Sequence, residues 1–123
     1  DGDGDIDLTT SHSGLGSVQI HFGRADGRFS NGGALSMGDT PNAVGVADID
    51  GDGRPDIFTT STNGSLSYRL REDTGSFGRR EEVRVGEQPI EALMVDINGD
   101  EKIDIIAPNT NSGDVSIVLG TAE

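Results

Sequence analysis

In Ser65–Arg71, SLSYRLR, apolar and polar positions alternate. Leu66, Tyr68 and Leu70 fall on one face, and Ser67, Arg69 and Arg71 on the other. A period of two marks a β-strand with one face turned to a core. The neighbouring segments read the same way. AVGVAD (43–48) predicts one strand, DIFTTS (56–61) a second, SLSYRLR a third and REEVRVG (80–86) a fourth. TNGS (62–65) carries Asn-Gly, a strong signal for a two-residue hairpin turn. No apolar pattern of period 3.6 is sustained, and the abundant glycine and aspartate are poor helix formers. The pattern predicts an all-β chain.

The strand pattern recurs. DIDGDGRPDIF (48–58) aligns with DINGDEKIDII (96–106), an offset of 96 − 48 = 48 residues. GDTP (38–41) and GEQP (86–89) share that offset, and DGDGDIDLTTS (1–11) aligns with Asp50 onward at 50 − 1 = 49. GSVQIHFG (16–23) and GDVSIVLG (113–120) are two periods apart. Four antiparallel strands every 48 residues is the period of a propeller blade. Lettering the strands A to D, the chain divides into a partial blade at 1–38 (B to D), a complete blade at 39–86, and a partial blade at 87–123 (A to C). Ten strands do not close a ring. The sequence therefore reads as a piece of a longer protein or as a protomer that closes by homo-oligomerisation, and the opening inside a motif favours the first.

Composition narrows the function. The 123 residues carry a net charge of −13, which argues against nucleic acid and anionic membrane as partners. No run of 18 apolar residues spans a membrane, and the absence of cysteine excludes a disulfide scaffold. The charge is concentrated. Asp48, Asp50, Asp52 and Asp56 fall within nine residues, together with Gly51 and Gly53. Like charges in contact repel by roughly 1–4 kcal/mol per pair at a protein surface.

A bound cation removes that repulsion. Asp48, Asp50, Asp52 and Asp56, with the Arg54 carbonyl, make an oxygen-only, flexible, multiply anionic shell, which suits calcium better than zinc or magnesium. The two glycines permit the left-handed turns of such a wrap. Asp96, Asn98, Asp100, Asp104 and the Lys102 carbonyl repeat the set, and Asp1, Asp3, Asp5 and Asp7 repeat all but its first position. An EF-hand needs a bidentate acid at position 12 and flanking helices. Thr59 and Ala107 stand there, and the flanks are β-rich. Up to three calcium ions, about one per loop, would bring the charge to −13 + 6 = −7.

VGVADIDGDGRPDIF (44–58), VQIHFGRADGRF (18–29) and VSIVLG (115–120) resemble the FG-GAP, or VCBS, repeats that build integrin α-subunit propellers and many secreted proteins. The resemblance covers nearly the whole chain. It implies a partial β-propeller of four-stranded antiparallel blades, with calcium in each loop between strands A and B as a structural staple. Two departures stand out: Arg71-Glu72 where the other units have Phe22-Gly23 and Leu119-Gly120, and Glu101 in place of Gly53.

The remaining features have plain readings. Arg69, Arg71, Arg79, Arg80 and Arg84 read as the solvent face of outer strands, and Phe22, Phe29, Phe58 and Phe77 as blade core. Asn63-Gly64-Ser65 is a glycosylation sequon that a turn also explains, and neither His12 nor His21 sits in a ligand pattern. No nucleophile elbow, zinc motif or phosphate loop is present. The expected function is a non-enzymatic, calcium-stabilised extracellular or cell-surface module for binding, adhesion or assembly, with a protein or carbohydrate ligand. The alternatives are a fragment of a propeller enzyme, such as a polysaccharide lyase, and a purely structural repeat array.

Overall fold

The computed structural model describes residues 1–38 and 40–120. Asp39 of the Gly38–Pro41 lead-in and residues 121–123 of the third unit lie outside the described residues. The strands come in three antiparallel meanders. The first holds β1 (Leu8–His12), β2 (Ser17–Gly23) and β3 (Phe29–Ser36). The second holds β4 (Pro41–Ala47), β5 (Asp56–Ser61), β6 (Ser65–Arg69) and β7 (Glu81–Arg84). The third holds β8 (Leu93–Val95), β9 (Asp104–Asn109) and β10 (Asp114–Val118). An all-β chain of successive antiparallel sheets is the architecture of a partial β-propeller-like fold. No helix among the described residues is long and apolar enough to cross a membrane.

The register makes the repeat geometric. Leu8 pairs with His21, Ile57 with Arg69, and Ile105 with Val118, each one period after the last. The cores lie between sheets. Val18, Ile20 and Met37 of the first unit pack with Ile57 of the second. Phe58 and Leu66 of the second pack with Ile105 of the third. The middle sheet is thus covered on both faces, and every residue of β5 is buried, including Thr59, Thr60 and Ser61. Gly45 makes this possible in β4, because a Cβ there would lie 2.2 Å from the Phe58 ring.

Four sequence expectations change in the structure. Ser61 pairs with Ser65, so the hairpin loop has three residues rather than two. Its third, Gly64, takes φ 83° and donates its amide to the Ser61 carbonyl at 3.1 Å. Asn-Gly is therefore used for one left-handed residue after a turn rather than for two in succession. Phe29 is half-exposed rather than core. Ser67, on the supposed solvent face of β6, is buried. Arg69 and Arg80 do not simply face water either. Arg69 Nε donates to the Ser36 carbonyl at 2.9 Å, and Arg80 donates to Ser67 Oγ at 3.1 Å and to the Met37 carbonyl at 3.4 Å. Both guanidinium groups clasp the end of β3 across the first seam, where carbonyls beyond the strand lack ladder partners.

Candidate metal centre

The loop between β4 and β5 is organised around Asp48. Its Oδ1 accepts the amides of Gly51 at 2.9 Å and Asp52 at 3.0 Å, and its Oδ2 accepts Gly53 at 2.9 Å. Gly51 and Gly53 take φ of 78° and 84°, so the amides turn inward in a curl that a Cβ would strain. Asp56 closes the loop from below. It is fully buried, and its two oxygens accept the Ile49 and Arg71 amides, both at 2.7 Å. One carboxylate thus ties the start of the loop to the residues just past β6.

Asp48, Asp50 and Asp56 each offer a carboxylate oxygen, and the three lie within 4.8 Å of one another. Oxygens sharing one hard cation at about 2.3–2.6 Å lie at most about 5 Å apart. At that spacing the three could share a single ion. Asp50 shows why a cation is favoured there. Asp50 is exposed overall, yet the partial desolvation of its carboxyl by the loop pushes it above the ordinary value. The Asp52 amide opposes the shift, and the charges of Asp56, Asp52 and Asp48 add to it.

The third loop repeats the frame. Asp96 accepts the amides of Gly99 at 2.7 Å and Glu101 at 2.9 Å, and buried Asp104 accepts those of Ile97 at 3.0 Å and Gly120 at 2.8 Å. The Glu101 amide, opposed by desolvation and aided by the amides of Gly99 and Asp100, holds the Asp96 carboxyl below its ordinary value. In the first loop Asp7 Oδ1 accepts the Gly23 amide at 2.9 Å. Only the middle loop among the described residues draws three acids into one cluster; Asp96, Asp100 and Asp104 do not converge in this way, nor do Asp1, Asp3, Asp5 and Asp7.

The bond from the last loop aspartate to the amide just after the third strand recurs in all three units. The FG-GAP-like repeat family model matches residues 1–59 and again residues 48–107, each stretch opening in one acidic loop and ending in the second strand of the following unit. The chain belongs to the FG-GAP-like repeat family. No curated protein and no solved structure matches it.

The FG-GAP-like geometry revises two details of the sequence alignment. The amides that reach the buried aspartates belong to Gly23, Arg71 and Gly120. The equivalent of Phe22-Gly23 and Leu119-Gly120 is therefore Leu70-Arg71, not Arg71-Glu72. Arg54, read from sequence as a carbonyl ligand, also works through its side chain. It pairs with Asp52 and, at 2.7 Å, with Asp73, while its Nε donates to the Arg71 carbonyl at 3.0 Å. That clasp turns Asp52 toward a guanidinium. Sequence reasoning missed it because Asp73 lies in a different loop with no motif of its own.

Glu101 keeps the curl of this FG-GAP-like loop without glycine, at φ 66°. A left-handed non-glycine residue costs about 1–2 kcal/mol. Glu101→Gly relieves that strain, though extra freedom in the unfolded chain offsets part of the gain. The expected net stabilisation in chemical denaturation is about 0.5–1 kcal/mol. A loss of stability would show that the Glu101 side chain contributes contacts beyond its backbone.

Proposed function

We propose that this chain is a non-enzymatic, calcium-stabilised segment of an extracellular or cell-surface β-propeller, used for binding, adhesion or assembly. The observation that carries the reading is the convergence of Asp48, Asp50 and Asp56 oxygens within 4.8 Å, in a loop built only of oxygen donors. Calcium accepts such a shell, and sites in extracellular modules bind it at about 0.1–1 mM. The ion joins the loop to buried Asp56 and so to the residues after β6. Its role is to hold the first three strands of a blade together.

The far face of the third sheet supports the assembly part. Val115 and Ile117 stand at the repeat positions of Leu66 and Tyr68, as their pairing with Pro108 and Ile106 shows. Leu66 is fully buried under the third unit, whereas Val115 and Ile117 are each 56% exposed. A further unit of the same repeat is the natural cover for that face, because the same register already packs the second unit on the third.

Calcium dependence tests the reading. With one site at a hundredfold excess of ion over its dissociation constant, binding adds about 2.7 kcal/mol. Thermal unfolding in calcium should shift up by several degrees relative to EDTA, with magnesium much less effective. An unchanged midpoint on chelation would sink the metal reading.

A further inference from the structure

Arg71 occupies the repeat position that Gly23 and Gly120 hold in the other two units. At those two sites the backbone leaves no room. A Cβ on Gly23 would lie 2.2 Å from the Ile6 carbonyl oxygen, and one on Gly120 would lie 2.5 Å from that of Ile103. The middle unit places a long cation where its siblings need glycine. The Arg71 guanidinium lies 6.0 Å from the centre of the Phe77 ring. No carboxylate among the described residues forms an ion pair with it.

Arg71 lines a cavity of about 550 Å³ between the first and second sheets, whose apolar walls include Ile20, Phe22, Leu35, Ile57 and Phe77. That volume lies within the range of small-molecule sites, roughly 300–1,000 Å³. Asp7 also reaches the wall; its Oδ1 accepts the Gly23 amide, and the Arg71 charge acts on its carboxylate without a direct ion pair. The equivalent space between the second and third sheets, about 800 Å³, has Gly120 at this position and carries Asp50, Asp52, Glu101 and Lys102 as its charges. Of these two spaces, only the first-seam chamber has a guanidinium on its wall, with Asp7 as its one carboxylate.

We propose that this first-seam cavity binds a small organic carboxylate with an aromatic or aliphatic body. The apolar part lies against Phe22, Ile57 and Phe77, and the carboxylate meets the Arg71 guanidinium. A guanidinium presents two parallel donors that match the two oxygens of a carboxylate, and such a charge-assisted pair is strengthened where apolar walls exclude water. The overall charge of −13 opposes an anion only at long range. At physiological salt that field is screened beyond about 8 Å, so inside the cavity the nearby charges decide, the Arg71 guanidinium and the Asp7 carboxylate it acts on.

Phenylacetate and its neutral isostere phenylacetamide separate the charge contact from simple apolar filling. In NMR titrations of the whole chain in calcium buffer, phenylacetate should move the Ile20 and Ile57 methyl signals and the Arg71 side-chain Nε–H signal. Phenylacetamide should bind at least about tenfold more weakly, and Arg71→Gln should abolish the difference. Equal binding of acid and amide, shifts confined to the second seam, or no shift with phenylacetate at the highest soluble concentration would each overturn the proposal. If Arg71→Gln does not fold, the acid–amide comparison on the unaltered chain decides.

Discussion

Asp56→Ala should destabilise the protein by about 3–5 kcal/mol, because it removes a fully buried carboxylate that accepts two short amide bonds. Hydrogen bonds to a charged group are worth about 1.5–3 kcal/mol each, and alanine leaves the Ile49 and Arg71 amides without an acceptor. Relief of repulsion with Asp48 and Asp50 returns part of the loss when no cation is bound. The control is Asp26→Ala, at an exposed carboxylate that accepts the Arg28 amide and faces its side chain at 3.8 Å. That change should stay within about 0.5 kcal/mol. Asp104→Ala should behave like Asp56→Ala, since it accepts the matching amides of Ile97 and Gly120. Urea unfolding checks all three. A cost for Asp56→Ala below about 1 kcal/mol would mean that the buried carboxylate does not tie the loop to the end of β6.

Asp50→Asn should change sign with calcium. Without the ion, burial and the neighbouring aspartates hold the Asp50 carboxyl above its ordinary value. A carboxyl whose folded pKa is raised binds its proton more tightly in the fold than in the unfolded chain. Its favourable contribution is present below the unfolded value, about 3.9, and is lost as pH rises through the folded value. At neutral pH the ion-free fold therefore carries a small cost at Asp50, screened by water to below about 1 kcal/mol. Asparagine removes it, so the midpoint in EDTA should rise slightly. In calcium the same change removes one of the anionic ligands. Affinity should fall at least about tenfold, and stability in excess ion by about 1.4 kcal/mol per tenfold loss. Paired melts in calcium and EDTA at pH 7 read both signs. A loss of the same size in both buffers would mean that Asp50 supports the loop without touching the ion.

Much of the architecture is legible in the chain. The alternation in SLSYRLR, the 48-residue offset between Asp48 and Asp96, and the ten strands between 8 and 118 describe the same three sheets that form. These features are local. Side-chain alternation sets a strand, and a repeated strand pattern sets a repeated sheet. The acidic loops are legible for the same reason, since Asp48 and Asp96 accept amides only a few residues away.

What lay beyond the sequence depends on contacts between distant segments. Period two assigns Ser67 to an outer face, but a sheet enclosed by neighbours on both sides has no outer face at its centre. The arginines of the second unit read as solvated, yet Arg69 and Arg80 satisfy carbonyls at the end of β3. Arg54 turns to Asp73, and Arg71 enters a cavity whose other wall is made by the first unit.

Hydrophobic period and turn chemistry act over a few residues, and they set the strands, the repeat and the acidic residues of each loop. Which acids converge on one point, which residue stands opposite which across the units, and where the guanidinium groups go emerge once the sheets are assembled. Those outcomes follow from how neighbouring sheets pack, and packing is settled by side-chain volume and unpaired carbonyls tens of residues away.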